Sequence, residues 1–476
     1  MFIILLMSQL VDRKDEMDCL KEIYHGDGSA LFILYGRRRT GKTRLLIESL
    51  KGENGLYYMA IESTIEDNLK SLSERMSVFL GDGSFSRIRF NGFEDLLSEF
   101  VSRAHGNPIL IIDEFPYMFK FRPALLSELQ RVWDQKLKNK GMKLVLCGSS
   151  ISMMEQKLLS RSSPLYGRRE GQWKLEPLPP GFISAFLPSY GMDDIVRTYS
   201  VCDGIPEYIL KFRPEKGFEW NLDNRVLKKG RYLSEEGSIL LLQELNNIGN
   251  YVRILETISL GKNRQKEIAE STGMDKGMVS KYLHNLVTIG YLEYISPFGA
   301  RRKSRMGRYV FSDNYMDFYF RFIYPNSTEL QTGILGFDMI KEDFNTYMGR
   351  TFEKLVRLII LRTGSFKEVA PWWHGEDEID IICRDERRKE LLIGDIKWRN
   401  RQYSGADLST FMERCGRLSF KGPFRKRVFI VSRKGFRRNI ISELDDEGIL
   451  HFDLERIGPY ILDSRFDPRE GDLNNS

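Results

Sequence analysis

The stretch "ALFILYGRRRTGKT", which runs from Ala30 to Thr43, decides the fold of the first part of this 476-residue chain. A short apolar run is followed by a segment that fits the pattern G-x-x-x-x-G-K-[ST] and then by a helical pattern. Glycines in such a segment let backbone N–H groups close around phosphates at a helix N-terminus, while the lysine adds charge and the hydroxyl reaches magnesium. The segment predicts a site for ATP and Mg²⁺ made of Gly36, Arg37, Arg38, Arg39, Thr40, Gly41, Lys42 and Thr43.

A second stretch, "ILIIDE", supports this prediction independently. Its apolar strand brings Asp113 beside the phosphates, where the carboxylate holds magnesium through water, and Glu114 can then polarise the attacking water. A third strand, "KLVLCGSS", places Ser149 or Ser150 where a polar side chain could sense the γ-phosphate. For these pieces taken singly, a glycine-rich turn, an acid that ends a strand and a serine in a plain turn remain the alternatives.

Apolar runs alternate with helical patterns throughout the first 180 residues. The runs "ALFILYG", "GLYYMAI", "NPILIIDEF" and "MKLVLCGSS" are short and are separated by amphipathic helices, which is typical of a parallel sheet covered on both faces. We therefore predict an α/β fold with a P-loop core over residues 1–180. The pattern then turns helical and predicts a helical lid over residues 181–245.

The motifs "YGRRRTGKT", "IIDEFPYM", "LCGSSISMM" and "PLYGRR" together resemble the archaeal ATPase family within the AAA+/STAND group. The similarity extends from about Val11 to Tyr208. It implies an arginine finger, acting in cis or in trans, at Arg168, with a solvated or nucleic-acid-facing arginine as the alternative. The stretch "CDGIPEY" is similar to the "GGIP" loop of that family, which implies a nucleotide contact from the lid side at Pro206.

The middle of the chain predicts a winged helix-turn-helix over residues 246–325. Three amphipathic helical patterns are followed by strands, and Gly273 makes the turn before the third helix. The third helix is predicted to bury Met278, Val279, Leu283 and Leu286. It is predicted to expose Lys276, Ser280, Lys281 and His284.

The predicted wing carries a dense run of cations, which favours contacts with DNA phosphates. The side chains that imply DNA as a partner are Arg301, Arg302, Lys303, Arg305 and Arg308. Two alternatives stay open, because wings also serve as protein-docking modules and a charge run is often a solvated face. Few of the side chains suggest base readout, so no sequence preference is predicted.

The stretch "LIGDIKWRN" holds one of several acid-x-lysine triplets in the chain, but this triplet lies in an apolar strand. The strand period of two puts Asp395 and Lys397 on one face. An earlier strand, "DEIDIIC", brings Asp380 to a face, and the charged turn "RDERRKE" lets the two strands pair as a hairpin. The helix before both strands presents Glu353 beside apolar neighbours.

This order of a helix glutamate, a strand aspartate and a strand Asp-x-Lys resembles the PD-(D/E)xK nuclease fold over residues 335–465. The region is also similar to the domain of unknown function 234, which often ends members of the archaeal ATPase family. The resemblance implies Mg²⁺ held by the two aspartates and a water oriented by the lysine. The implied catalytic set is Glu353, Asp380, Asp395 and Lys397. Isoleucine and not proline precedes Asp380, and a site kept for binding without cleavage is the alternative.

Composition restricts the class of protein. Hydrophobic residues at 42% and charged residues at 29% belong to a globular protein, and a net charge of +6 argues for a polyanionic partner only where it is clustered. Five scattered cysteines without zinc spacing favour a reducing, cytoplasmic setting. The opening "MFIILLM" is far shorter than a membrane span and is a first strand or upstream read-through, so we expect no membrane partner. The ending "DPREGDLNNS" is predicted to be a loose tail.

Together the sites favour an ATP-dependent DNA-binding protein whose C-terminal domain cleaves phosphodiester bonds with Mg²⁺. The alternative is a switch without nuclease activity, in which ATP and ADP states change how the C-terminal domain binds nucleic acid or a protein. A third interpretation is an ATP-gated nuclease directed at RNA. The sequence leaves the oligomeric state open, with a homo-oligomer among the outcomes.

Overall fold

The computed structural model describes residues 10–120, 122–301, 304–418, 420 and 422–469. They fall into two compact units, one up to Pro177 and one from Leu178 onward. The opening "MFIILLM", the wing residues Arg302 and Lys303, and residues 470–476 of the predicted tail lie outside the described residues. None of the described helices combines the length and the apolar character needed to cross a membrane.

The first unit is built on five parallel strands: β1 (Ala30–Tyr35), β2 (Gly55–Met59), β3 (Ile109–Asp113), β4 (Lys143–Gly148) and β5 (Gly171–Lys174). Their order in the sheet is β2-β3-β4-β1-β5. Strands β1, β3 and β4 are buried along their whole length, as expected for a parallel sheet with helices on both faces. The parallel sheet predicted from the four apolar runs is confirmed.

Alternate residues of β1 enter two separate apolar cores on opposite faces of this sheet. Leu31 and Ile33 pack in the larger core, and Phe32 and Leu34 pack in the smaller one. The α-helices of the unit are Lys14–His25, Lys42–Ser49, Ile65–Leu80, Phe93–Arg103, Pro116–Lys120, Leu125–Val132 and Ile151–Met153. Short 3-10 or π segments are Phe85–Arg87, Trp133–Leu137 and Met154–Leu159.

The second unit opens with a helical region, in agreement with the predicted helical lid. Its α-helices are Ile183–Phe186, Met192–Cys202, Pro206–Ile209, Phe218–Asn221 and Tyr232–Glu244. Its 3-10 and π segments are Pro180–Phe182 and Leu222–Val226. Pro206 is the first residue of its helix, a position where the missing N–H of proline costs nothing.

A winged helix-turn-helix follows, as predicted. It consists of the helices Ile248–Ser259, Gln265–Thr272 and Lys276–Thr288 and the antiparallel strands β6 (Leu292–Ile295) and β7 (Arg308–Phe311). Gly273 has a φ of 69° in the turn before the third helix. Asp275 caps that helix, because its carboxylate accepts the N–H of Met278 at 2.9 Å.

The exposed face of the third helix agrees with the prediction, since Lys276, Ser280, Lys281 and His284 are all exposed. One buried position was wrong, because the side chain of Met278 is 43% exposed. The buried residues Val279, Leu283 and Leu286 follow the helical spacing of four and three residues. Met278 comes immediately before Val279 in the first turn of the helix and therefore lies at the edge of the buried face.

The remainder of the second unit carries a mixed sheet of β8 (Glu368–His374), β9 (Asp377–Asp385), β10 (Glu390–Lys397), β11 (Arg425–Ser432) and β12 (Leu450–Asp453). The strand order is β12-β11-β10-β9-β8. The predicted hairpin is present, since β9 and β10 pair antiparallel, and β10 pairs parallel with β11. The helices before and among these strands are Asn314–Phe318, Tyr319–Ile323 (π), Ser327–Thr332, Phe337–Leu361, Gly405–Arg417, Arg438–Asp446 and Leu454–Asp463.

The beginning of the predicted loose tail is instead buried. The Arg469 guanidinium lies 2.5 Å from a carboxylate oxygen of Asp385 and 2.6 Å from one of Asp467. All three side chains are nearly inaccessible to solvent, so this part of the tail closes the end of β9. Polar composition suggested a loose segment because the partner that anchors it, Asp385, is 84 positions away in the chain.

Candidate functional site

The phosphate-binding loop lies between β1 and the helix that begins at Lys42. Gly36 and Gly41 have φ values of 155° and 93°, which side chains rarely tolerate. A Cβ on Gly36 would also lie 2.4 Å from the carbonyl oxygen of Leu175, so the loop needs glycine there for space as well. The two glycines of the motif therefore have conformational reasons that are visible in the fold.

Lys42 is held inside this loop by backbone carbonyls. Its ammonium donates to the carbonyl oxygen of Gly36 at 2.9 Å and to that of Arg37 at 2.6 Å. Burial lowers the pKa of the lysine from its ordinary value. The ammonium is thus surrounded by neutral carbonyl dipoles. An anionic ligand would therefore be bound more favourably there than a neutral one.

Asp113, at the end of β3, is bound to two hydroxyl groups. Thr43 donates to its Oδ2 at 2.6 Å, and Tyr57 donates to the same oxygen at 2.8 Å. Burial first, and then the Asp113 charge, raise the pKa of Tyr57 above its ordinary value, so the phenol keeps its proton. A hydroxyl and a carboxylate are hard oxygen donors, which fits the ligand preference of Mg²⁺.

Glu114 follows at once in the left-handed region, with a φ of 49°. Its Oε1 accepts the Ser149 hydroxyl at 2.5 Å, and its backbone N–H donates to Asp113 at 2.9 Å. Of the two serines proposed as γ-phosphate sensors, Ser149 is thus the one that contacts Glu114. The sheet order explains this contact, because β4 lies between β1 and β3.

Two contributors to this site were not predicted. Arg13 is only 5% exposed, and its guanidinium donates to the carbonyl oxygens of Thr40 at 3.2 Å and of Glu176 at 2.8 Å. Tyr57 lies on β2, and the contact with Asp113 depends on β2 being the neighbour of β3. A buried arginine outside any motif and a tyrosine in an apolar strand carry no local signal of these partners.

Arg168 is bound to an acid of its own unit. Its guanidinium makes a two-point contact with the Asp134 carboxylate, at 2.8 Å from Nε and 2.7 Å from an Nη. The hydrogen bonds with Asp134 raise the pKa of the arginine. The finger role of Arg168 and the nucleotide contact of Pro206 stay predictions.

The wing is packed against the C-terminal part of the second unit. The N–H of Phe298 donates to the carbonyl of Pro371 at 2.7 Å, and the Gly299 N–H donates to Glu368 at 2.8 Å. Phe298 is buried in the apolar core of the C-terminal sheet. The part of the wing at Phe298 and Gly299 is therefore anchored to the C-terminal sheet.

Of the predicted DNA-facing cations, Arg301 and Arg305 are exposed. Arg308 is less exposed than these two arginines. It donates to the Glu378 carboxylate at 2.8 Å, and its guanidinium lies 4.1 Å from the ring centre of Trp373. Arg308 is thus paired within the protein, and its predicted contact with DNA stays a prediction.

The hairpin of β9 and β10 brings three predicted residues of the C-terminal site together. The Lys397 ammonium lies 2.8 Å from a carboxylate oxygen of Asp380 and 2.6 Å from one of Asp395. The backbone N–H of Ile396 also donates to Asp380, at 2.7 Å. Burial alone would lower the pKa of Lys397, but the two carboxylates outweigh burial and raise it.

Asp395 has a further partner that the sequence did not reveal. Tyr403 donates to its Oδ2 at 2.8 Å. Burial first, and then the charge of Asp380, raise the pKa of Asp395. Tyr403 lies six residues beyond Lys397 in a segment of polar residues, where nothing local indicates this contact.

Glu353 lines a cavity of about 190 Å³ together with Asp380 and Glu378. Strand β7 of the wing forms another wall of that cavity. Burial, followed by repulsion from Asp380, raises the pKa of Glu353 well above its ordinary value. Among the described residues no cluster of three or more His, Cys, Asp or Glu side chains has a metal-binding arrangement. The pair of aspartates still offers hard oxygen donors of the kind that Mg²⁺ takes.

The fold and the site define the class of protein. It is a P-loop ATPase unit followed by a winged helix and a mixed-sheet domain. Three family models match the chain in this order. An ATPase domain predominantly from Archaea matches residues 10–212, and an IclR helix-turn-helix domain matches residues 249–296. A domain of archaeal and bacterial proteins of unknown function matches residues 319–408.

The chain belongs to the archaeal ATPase family that carries this C-terminal domain. An uncharacterized protein of Methanocaldococcus jannaschii is 32% identical over 453 residues, which cover 94% of this chain and 99% of that relative. A second uncharacterized protein of that organism is 28% identical over 93 residues, or 19% of this chain and 89% of its own length.

Solved structures resemble parts of the chain. A Walker-type ATPase of Pyrococcus abyssi is 23% identical with a TM-score of 0.49, over 66% of this chain and 97% of that one. The ORC2 protein of Aeropyrum pernix is 15% identical with a TM-score of 0.44, over 68% of this chain and 96% of that one. The family assignment rests on the family models and the full-length relative, and not on these structures.

Proposed function

We propose that this ATPase binds DNA through its winged helix and that its nucleotide state controls this binding. The observation that carries the ATP-dependent part is the hydrogen bond from Thr43 to Asp113, with Glu114 at the next position. It joins the end of the phosphate loop to the end of β3, so the hydroxyl and the carboxylate meet where the phosphates of a bound nucleotide would lie.

The residues of the ATP site have separate tasks in this proposal. Lys42 supplies positive charge to the outer phosphates, and Glu114 orients the attacking water while Ser149 fixes its carboxylate. Thr43 and Asp113 would hold magnesium, which neutralises charge on the transferred phosphate when it is bound. Tyr57 keeps the Asp113 carboxylate in one orientation through its hydrogen bond.

DNA binding is supported by exposed cations on the winged helix. Lys276 and Lys281 lie on the third helix, and Arg301 and Arg305 lie on the wing. Contacts between such side chains and phosphates give affinity that falls with added salt, because bound counterions are released.

The wing provides a matched pair of variants that tests the DNA proposal. Arg305→Ala is expected to weaken DNA binding several-fold and to lower the salt slope by about one, since one phosphate contact is lost. Arg308→Ala is expected to leave the salt slope unchanged, because Arg308 is bound to Glu378 and Trp373. Fluorescence anisotropy at several salt concentrations measures both slopes. Equal salt slopes for Arg305→Ala and the unmodified protein would contradict the proposal.

A second candidate function is Mg²⁺-dependent cleavage of nucleic acid at the C-terminal site. The observation that favours it is the contact of one ammonium, that of Lys397, with both Asp380 and Asp395. A buried acid, a partly buried acid and a lysine on adjacent strands are costly to fold, which favours a functional role for the three groups. The family models do not supply this activity, so it rests on the geometry.

The chain's own groups suit this chemistry. Lys397 stays positive because its pKa is raised, so it can steady the charge that develops on a phosphodiester. Tyr403 orients Asp395, and Glu353, with its raised pKa, can hold a proton at its carboxyl group. Magnesium bound by the two aspartates would lower the pKa of a coordinated water.

Substitution of one aspartate tests the second candidate. Asp395→Asn is expected to lower Mg²⁺- or Mn²⁺-dependent cleavage of labelled DNA or RNA at least about 100-fold, because a metal ligand loses its charge. Glu386→Gln, on the turn after β9, is the control variant. Cleavage that is equal in the two variants would assign the activity to another site or to a contaminant.

Absence of cleavage in every preparation would favour the switch interpretation, in which the C-terminal domain only binds nucleic acid or a protein. That switch would show slow ATP hydrolysis and a nucleotide-dependent oligomer size. All five cysteines are free, which agrees with the proposal of a reducing, cytoplasmic setting.

A further inference from the structure

The third helix of the winged helix lines a groove of about 1550 Å³. Its side chains at positions 276, 280, 284 and 287 form one wall, and the wing forms another. The far wall comes from the C-terminal sheet, through Lys367 and Val369 at β8 and Arg384 on β9. The helix face that would read DNA therefore looks into a concave surface that is shared with another part of the same unit.

We propose that this groove binds a single-stranded polynucleotide and not a duplex. The inference deepens the proposed DNA binding and rests on it. A helix that reads a duplex enters a major groove about 12 Å wide, with a sugar-phosphate backbone on each side. Here the wing and residues at β8 line the same groove as the helix, and we take them to fill the space that the second backbone of a duplex needs. A single strand has one backbone and can follow a groove of this shape.

The charge of the groove suits one backbone. The lysine and arginine side chains among the described residues of its lining are Arg264, Lys266, Lys276, Arg305, Lys367 and Arg384. The acid among them, Glu368, already accepts hydrogen bonds from Arg384 and the Gly299 N–H. Cations thus stand on all three walls, and those of the C-terminal wall are paired, Lys367 with Glu386 and Arg384 with Glu368. The unpaired positive charge of the described lining therefore comes from the helix and the wing, at Lys276 and Arg305.

Two tyrosines of the wing supply a surface on which bases can stack. Tyr294 and Tyr309 are directly opposite each other on β6 and β7, and their ring centres lie 4.7 Å apart. Both line the groove. Tyr294 is fixed by a hydrogen bond to the carbonyl of Ser304, so its ring has a set orientation. A basic groove with aromatic side chains is the arrangement that binds single strands with little sequence preference.

Binding to labelled oligonucleotides of about 12 nucleotides, within the usual site sizes of single-strand grooves, tests the inference on the full chain. Single-stranded DNA, RNA of the same sequence and the duplex are compared with ATP, with ADP and without nucleotide. We expect a single strand to bind at least about tenfold more tightly than the duplex. If RNA alone binds, the single-strand inference stands and the proposed DNA binding fails.

Charge-reversal variants identify the surface that is used. Lys367→Glu, on the C-terminal wall, is expected to weaken single-strand binding about tenfold. Lys341→Glu is the matched control, because Lys341 is exposed and does not line the groove, whereas Lys281→Glu probes the face of the third helix outside the groove. Tyr309→Ala is expected to weaken binding about fivefold or more, and Tyr309→Phe to keep it, since stacking needs the ring and not the hydroxyl.

The outcomes separate this inference from the proposed function. Tighter binding of the duplex that Lys281→Glu weakens and Lys367→Glu does not would overturn the groove and leave DNA binding by the winged helix intact. Failure to bind any of the three nucleic acids in every nucleotide state would overturn both.

Discussion

The two candidate sites each hold a lysine, buried in the first site and partly exposed in the second, and the surroundings of these lysines are opposite. The Lys42 ammonium donates to the backbone carbonyls of Gly36 and Arg37, and burial lowers its pKa. Lys397 lies between two carboxylates, which raise its pKa. The first lysine therefore has no carboxylate among these partners and gains from an anionic ligand, whereas the second is already paired with two carboxylates. The hydrogen-bond and ion-pair partners of a lysine thus distinguish one that is placed to bind phosphate from one that is bound to acids.

The acids show a common device in spite of this difference. Asp113 accepts a hydrogen bond from Tyr57, and Asp395 accepts one from Tyr403, each at 2.8 Å. In both places burial raises the pKa of the tyrosine, so the phenol remains a donor. The tyrosine fixes the direction of a carboxylate without adding charge, and the lysine or hydroxyl beside it sets the electrostatics.

The largest effect is expected at Glu114, the acid that we propose activates water in the first site. Glu114→Gln keeps the shape of the side chain and its contact with Ser149 but cannot polarise water, so ATP turnover should fall about 100- to 1000-fold. ATP affinity should change little, because Lys42 and the loop are intact. Steady-state ATPase assays and nucleotide titration measure the two quantities. Glu66→Gln, on an exposed helix position, is the control, and turnover above a tenth of normal in Glu114→Gln would contradict the assignment.

An intermediate effect is expected on stability at the second site. The raised pKa of Glu353 means that its carboxyl contributes stability that is present below the unfolded value, near 4.5, and lost as the pH rises through the folded value. Glu353→Gln resembles the protonated form at every pH. Its Tm at neutral pH should therefore exceed that of the unmodified protein by on the order of 3 °C.

This gain should shrink as the pH approaches 4.5, since the unmodified carboxyl is then protonated as well. Thermal unfolding in EDTA over this pH range measures the difference without bound metal. Glu376→Gln, an exposed acid in the turn between β8 and β9, is the control. A gain in Tm for Glu353→Gln that is the same at both ends of the range would contradict the assigned pKa shift.

The smallest effect is expected when one phenol is removed. Tyr57→Phe takes one of two hydroxyl donors from Asp113 and leaves Thr43 in place, so kcat should fall only about two- to fivefold. The neighbouring Tyr58 bonds to Asn68 and not to the site, so Tyr58→Phe should not change kcat and provides the control. A loss as large as that of Glu114→Gln would mean that Tyr57 acts on the nucleotide directly.

Much of the fold could be predicted because its signals are local. The phosphate loop, the apolar strands and the winged helix each occupy one continuous stretch with its own periodicity. The strand parity at Asp395 and Lys397 also indicated that these side chains share a face. In the folded chain the Lys397 ammonium contacts the Asp395 carboxylate.

Other features of the sites could not be predicted, because they depend on residues that are neighbours only in the folded structure. Arg13 reaches a carbonyl 27 positions away, and Tyr57 meets Asp113 only through the order of the strands. Arg308 was predicted to face DNA, and no local pattern indicated its contact with Trp373. A single sequence contains no signal for contacts of this kind, because neither partner changes the local pattern of the other.

The central claim is that the two lysines serve two independent chemistries, and one crossed measurement tests it most directly. ATP turnover and Mg²⁺-dependent cleavage of labelled DNA and RNA are measured in parallel for Lys42→Ala and Lys397→Ala. We predict that Lys42→Ala abolishes ATP turnover and that Lys397→Ala abolishes cleavage while ATP turnover persists. Normal ATP turnover in Lys42→Ala, or cleavage that survives Lys397→Ala, would contradict the account.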